Sequence, residues 1–235
     1  MDLQVRKSIV RCAKICEEAE RYEEMAEVMK QLVTTDVELT TEERRLFNVS
    51  FLNVLRIKRS SWRSINSSLQ KEKNKNLDYV KTLEQKIMVE IQQICDQTTK
   101  ILDEHLLLKS TNFKNKAFYF KMKGDCYRHL AEFQSGEKKE TAIEECFSAY
   151  QAGLKIAYEH LPPTNPTRIG IALNLSVFFC DILHSADKAC RLGKQAFDDA
   201  LLEIDQLTEN DYQDTTLVLG LLKDNLSLWN SEFQD

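Results

Sequence analysis

The feature that most limits what this chain can become is its shortage of helix breakers. No proline occurs before Pro162, and the whole 235-residue sequence holds three prolines and six glycines. Proline removes a backbone donor and clashes with the preceding turn, while glycine loses more conformational freedom on ordering than any other residue. Their scarcity leaves most of the chain free to form long helices, and apolar residues recur at helical spacing throughout. Ile9, Ala13, Ile15, Cys16 and Ala19 mark one face; Tyr22, Met25, Val28, Met29 and Leu32 mark another. Thr40 or Thr41 before Glu42 and Glu43 reads as an N-cap with an acidic first turn. From there a helix runs past Ile65 toward the polar loop 71–76, and a second runs over 77–108 with Val80, Leu83, Ile87, Ile91, Ile94 and Ile101 inward. The polar stretch 109–112 reads as a turn. Further helices are predicted over 114–134, ending on Gly136 as a C-cap, and from about 138 to the break at Pro162-Pro163-Thr164-Asn165-Pro166. Three shorter ones follow near 167–184, 187–204 and 211–231. The count is about nine. Short connections imply antiparallel neighbours, and no composition shift divides the chain, so residues 1–235 read as one all-α domain.

Charge and cysteine usage narrow the function. A formal charge of −5 argues against a surface built to hold nucleic acid. The seven cysteines, at 12, 16, 95, 126, 146, 180 and 190, include no Cys-x-x-Cys, which suggests reduced, mostly buried thiols in a cytosolic protein. Cys12 and Cys16 lie one helical turn apart, but no further ligand is near in sequence, so core packing is expected ahead of metal. Residues 1–13 carry Asp2, Arg6 and Arg11 without a continuous apolar stretch, unlike a signal peptide, and no run of 18 apolar residues suggests a membrane span. Catalytic patterns are missing: no glycine-rich phosphate loop, no His-Glu-x-x-His, no Gly-x-Ser-x-Gly, and four isolated histidines at 105, 129, 160 and 184. No enzyme activity, cofactor or metal is expected.

Two local charge patterns stand out. Arg56, Arg59 and Arg63 fall at i, i+3 and i+7 of one helix, so three guanidinium groups share a stripe. Lys121, Asp125, Arg128 and His129, at i, i+4, i+7 and i+8, share another. One reading is two solvated faces with internal ion pairs. The other is a joint anion site, because planar guanidinium groups match phosphate oxygens in paired hydrogen bonds. Composition does not decide between them.

The flanking residues resemble the 14-3-3 family. Arg59-Ser60-Ser61-Trp62-Arg63, preceded by Glu42-Glu43-Arg44, is similar to that family's third helix, and Glu20-Arg21-Tyr22 with Met25-Ala26 to its second-helix entry. Phe118 to Asp125 (FYFKMKGD), continued by Tyr127-Arg128, resembles the fifth helix, and Ala172 to Phe178 (ALNLSVF) the seventh. Tyr212 to Leu217 (YQDTTL) and Leu221 to Trp229 (LLKDNLSLW) resemble the C-terminal signature. The resemblance implies a nine-helix protomer with a concave groove that holds phosphoserine or phosphothreonine segments of client proteins. It implies that Arg59 and Arg128 grip the phosphate, with Asp125 orienting Arg128. Lys121, Asn174 and Asn225 would hold the peptide backbone, and Leu173, Val177, Leu221 and Trp229 would form an apolar wall. It also implies dimerisation, as a homodimer or with a paralogue. Ile15 and Ala19 would pack on Ser61, Ile65 and Leu83 of the other protomer, and Arg21 with Glu90 and Glu24 with Lys86 keep complementary charge. A cytoplasmic location follows, with the nucleus as a second compartment.

Several positions depart from the family pattern. Leu52 stands in the place of the groove lysine, and Arg56 lies one turn further on, where it either swings toward the phosphate and restores part of the charge or stays in solvent. His129 replaces a tyrosine that donates to phosphate, and an imidazole N–H can take over that donation. Asp181 replaces a glutamate with a shorter carboxylate, and Leu83 replaces a tyrosine. These changes keep a second function in view, a helical scaffold for acidic or unphosphorylated segments.

Overall fold

The structure, a computed structural model, describes residues 2–35, 38–71 and 78–231. Among the described residues there are nine α-helices and no strand, as expected for an all-α chain: α1 (Leu3–Glu18), α2 (Tyr22–Val33), α3 (Thr41–Lys71), α4 (Asp78–Ile101), α5 (Phe113–Phe133), α6 (Gly136–His160), α7 (Pro166–Val177), α8 (Ala186–Leu201) and α9 (Glu209–Ser231). The predicted loop 71–76 lies outside the described residues except for Lys71, which ends α3. The helices group into two compact units, Met1–Lys109 and Ser110–Asp235.

In the first unit the start of α3 is fixed by side chains. The Thr40 hydroxyl accepts from the Glu43 backbone N–H at 3.3 Å, and Glu43 Oε2 accepts from the Thr40 N–H at 2.8 Å. This reciprocal capping box satisfies donors that the helix itself leaves open. Arg6 of α1 then donates to the same carboxylate from Nε at 2.6 Å and from Nη2 at 2.5 Å. Arg45 of α3 reaches back to both oxygens of Glu17, and Lys14 pairs with Glu42, so α1 is tied to α3 chiefly by charge. α1 contributes only Ala13 as a buried residue. The interior instead comes from Met25, Met29 and Leu32 of α2, Leu46, Phe47 and Phe51 of α3, and Ile91 and Cys95 of α4. α4 continues as a π-helical segment over Leu102–Leu107, with Leu102 and Leu106 buried.

The second unit is built on the α5–α6 pair. Gly124 of α5 lets the Tyr150 ring of α6 lie against the helix backbone; a Cβ there would sit 2.5 Å from ring carbons Cδ1 and Cε1. One apolar cluster joins Ala117, Cys146, Tyr150, Ile171 and Phe178; another joins Ile169, Leu173, Ala196, Ala200, Leu219 and Leu222. The proline break forms where predicted. Pro166 occupies the first turn of α7, and the Asn165 side chain accepts from the Thr167 N–H at 2.9 Å. Arg168 donates to the Leu161 carbonyl at the end of α6, at 2.9 Å, and stacks over Tyr158. α7 runs on into a π-helical turn over Phe178–Ile182.

Two expectations are corrected. Gly136 does not cap α5; Gln134 ends that helix in an extended conformation, and Gly136 opens α6 with φ of +57°, a left-handed geometry that suits glycine. The thiols are less buried than expected: Cys95, Cys126 and Cys146 are core residues, Cys16, Cys180 and Cys190 are half-buried, and Cys12 is exposed. Cys12 therefore does no core packing, because α1 turns that stripe outward.

Candidate functional site

The residues that could hold an anion in the second unit begin on α5. Lys121 Nζ lies 2.8 Å from Asp125 Oδ2, one turn away. Asp125 Oδ1 accepts from the Tyr150 hydroxyl at 2.5 Å and from the Asn174 amide at 2.6 Å. Arg128 donates from Nε to the Tyr150 oxygen at 3.2 Å, and its Nη2 stands 3.8 Å from Asp125. The guanidinium is thus held through the phenol rather than by a direct bond to the carboxylate. Tyr150 was not foreseen, since it lies 22 residues from Arg128 with no local signal beyond its place on the apolar face of α6.

The electrostatics follow from this geometry. Burial pushes the Asp125 carboxyl up, but Lys121, Arg128 and the Tyr150 hydrogen bond outweigh it and hold the group below its usual range. Burial and the Asp125 charge push the Tyr150 phenol well up, so it stays protonated and donates. Burial lowers Arg128, and Tyr150 and Asp125 more than reverse this, leaving a permanent cation. Two cations share one carboxylate, so the cluster carries a net positive charge with Arg128 Nη1 uncommitted among the described residues.

The other expected groove residues are placed as follows. On α7, Leu173 is buried in the apolar cluster of that unit, and Val177 and Asn174 are half-buried. Asp181 is exposed on the π-helical turn. On α9, Leu221 is 53% exposed and Asn225 half-buried, whereas Trp229 is buried at 3%. His129 is buried at 4% beside Arg128. In the first unit, Arg56 is exposed and Arg59 half-buried on α3, and Leu52 is 44% exposed one turn before Arg56.

The expected dimer residues also lie in the first unit. Ile15 is 55% and Leu83 47% exposed; Ala19, Arg21, Glu24 and Lys86 are exposed; Ser61, Ile65 and Glu90 are half-buried. Within the single chain Arg21 pairs with Glu24, and Lys58 bridges Glu90 at 3.0 Å and Glu23 at 3.2 Å. A pocket of ≈ 570 Å³ beside Lys58 is lined by Glu23, Glu27, Phe51, Val54, Glu90 and Ile94. Its carboxylates outnumber its cation, so it is not the anion site.

Among the described residues, no helix is long and apolar enough to cross a membrane, and no group of three or more His, Cys, Asp or Glu is arranged to hold a metal. Comparison with known proteins gives a consistent result. The family model described as 14-3-3 protein matches residues 12–230. The 14-3-3 protein epsilon of Drosophila melanogaster is 48% identical over 233 residues, covering 97% of this chain and 89% of that relative. The 14-3-3 protein 7 of Solanum lycopersicum is 46% identical over 234 residues, covering 98% and 93%. The checkpoint signal transducer rad24 of Schizosaccharomyces pombe is 46% identical over 236 residues, covering 99% and 87%.

Proposed function

The chain belongs to the 14-3-3 family, and from that premise we propose that it is a non-catalytic, dimeric adaptor that binds phosphoserine or phosphothreonine segments of signalling proteins. Its relatives, a checkpoint signal transducer among them, support the signalling adaptor role. In this reading Arg59 and Arg128 take the phosphate, with Arg56 and His129 contributing. Lys121, Asn174 and Asn225 hold the peptide backbone, and Leu173, Val177, Leu221 and Trp229 flank it. Residues 1–235 act as one functional domain.

The observation that carries the reading is the Asp125–Tyr150–Arg128 arrangement. It fixes a cation in place before any ligand arrives, so little side-chain entropy is lost when phosphate binds. A phosphoryl group brings a charge of about −1.5 to −2, and each charge-assisted bond to it contributes roughly 1.5–3 kcal/mol. The exposed Leu52 favours the second reading, a scaffold for unphosphorylated or acidic segments, because it removes one cation from the family's phosphate set.

Calorimetry with one peptide in its Ser and phosphoserine forms separates the two. The phosphorylated form is expected to bind about a hundredfold tighter, the equivalent of roughly 2.7 kcal/mol, with Arg128→Ala and Arg59→Ala each removing most of the difference. Equal affinity for the two peptides would transfer the assignment to the scaffold.

A further inference from the structure

One apolar side chain heads the arginine stripe of α3. At about 100° of helix per residue, Leu52, Arg56, Arg59 and Arg63 fall within an arc of roughly 60°. Ser61 and Ile65, expected at the dimer contact, lie roughly 150–170° round the helix from the middle of that arc. The buried Phe47, Phe51 and Val54 line another side. Leu52 is 44% exposed, so its open surface faces neither the interior nor the proposed partner subunit. On the premise that α3 holds phosphate through Arg59, we infer that Leu52 is a specificity-determining residue, which makes the site prefer phosphothreonine segments to phosphoserine ones.

Helical geometry places Leu52 beside the anion. Side chains on a helix lean toward its N-terminus and cover the turn before their own Cα. Arg56 follows Leu52 by one turn, a rise of about 6 Å, and Arg59 by two, about 10.5 Å. Both arginines therefore extend back over the turns that begin at Leu52. A phosphoryl group drawn to these cations brings the carbon that carries its ester into the same turns, where the exposed leucine borders it.

The two phosphorylated residues differ by one methyl group on that carbon. With phosphoserine the carbon offers Leu52 only hydrogen, and the leucine keeps water on its open surface. With phosphothreonine the methyl covers part of the leucine. Covering apolar surface is favourable in proportion to the area removed from water, and one such group corresponds to about a fourfold gain in affinity. The lysine of the family pattern would instead offer charge to both ligands alike. The β-branch of threonine also narrows its own χ1 freedom before binding. That contribution belongs to the ligand, and it cancels when two variants are compared with the same pair of ligands.

The test uses the full chain and two matched libraries of short peptides, randomised on both sides of a central phosphoserine or phosphothreonine. Unphosphorylated Ser and Thr libraries serve as references. The libraries compete for the immobilised chain, and the retained peptides are counted by mass spectrometry. The ratio of phosphothreonine to phosphoserine peptides is expected to be about fourfold higher for wild type than for Leu52→Ala. Leu52→Met, which keeps an apolar side chain of similar volume, should hold the wild-type ratio. Position 52 is exposed, so both variants should keep the helical circular dichroism of the wild type. A ratio that Leu52→Ala leaves unchanged would overturn the inference, even where phosphorylated peptides are retained over their references. Retention of phosphorylated and unphosphorylated libraries alike would overturn the phosphopeptide reading itself, and the inference with it.

Discussion

Tyr150 makes the candidate site dependent on one hydroxyl. It donates to Asp125 at 2.5 Å and accepts from Arg128 Nε at 3.2 Å, so Tyr150→Phe leaves a buried carboxylate short of a donor and a guanidinium short of an acceptor. Leaving such groups unsatisfied costs about 1–3 kcal/mol. The expected outcome is a lower melting temperature together with phosphopeptide affinity reduced roughly 5–30-fold, measured by calorimetry on the same samples. If affinity held while stability fell, the phenol would be a packing group only. Two glycines make an opposed pair. Gly124→Ala puts a Cβ 2.5 Å from the Tyr150 ring, and overpacking of this kind costs about 1–3 kcal/mol. Gly220 in α9 has nothing within 4 Å of its would-be Cβ, so Gly220→Ala should stabilise by roughly 0.5–1 kcal/mol through the greater helix propensity of alanine. Urea unfolding of the two variants checks both signs. At this scale the sequence was partly legible. Lys121, Asp125 and Arg128 fall on one stripe because helical spacing is local information. Tyr150 and Asn174 reach Asp125 from 25 and 49 residues away, and no local pattern encodes a contact of that range.

The start of α3 is the element whose stability has the clearest chemical control. Glu43 closes the capping box with Thr40 and receives two hydrogen bonds from Arg6 of α1, so one carboxylate sets a helix start and ties two helices. Burial raises the Glu43 carboxyl, but the Arg6 and Thr40 hydrogen bonds outweigh it and leave the group below its ordinary range. A depressed carboxyl stabilises the fold above its unfolded value, about 4.3 for Glu. That stabilisation is lost as pH falls through the lower folded value. Glu43→Gln should therefore cost roughly 1.5–3 kcal/mol near neutral pH, and the gap from wild type should close as the pH drops below about 4. Thermal unfolding across that range decides; a gap independent of pH would mean that the charge of Glu43 does not matter. The cap was readable because Thr-x-x-Glu is a local signature. Most helix boundaries were readable for the same reason, as at Asn165-Pro166. Gly136 was misplaced because glycine serves both ends of a helix junction, and only the extended backbone at Gln134 decides which. The π-helical segments at Leu102–Leu107 and Phe178–Ile182 carry Leu102, Leu106 and Phe178 into the interior, and no local sequence signal marks either one.

At the scale of the whole molecule, the proposed dimer needs a driving force, and the exposed residues of the first unit show which kind is available. In the single chain three of the four charged residues expected at the interface already have partners: Arg21 holds Glu24, and Glu90 holds Lys58. Any cross-protomer pair must replace one of these, and exposed pairs contribute only about 0–1 kcal/mol each. The apolar residues have nothing to lose. Ile15 is 55% and Leu83 47% exposed, and fully burying a side chain of that size contributes about 1.5–3 kcal/mol. Association through Ile15 and Ala19 against Ser61, Ile65 and Leu83 of the partner subunit should thus depend on apolar area and resist salt. Light scattering at micromolar protein is expected to give a dimer mass both at about 0.1 M salt and at about 1 M, where screening shortens to about 3 Å. Ile15→Glu should give a monomer in both, because it places a charge in an apolar contact, whereas Lys86→Ala should leave the dimer in place. A dimer that dissolves at high salt yet survives Ile15→Glu would reverse the ranking and make the ion pairs the source of association.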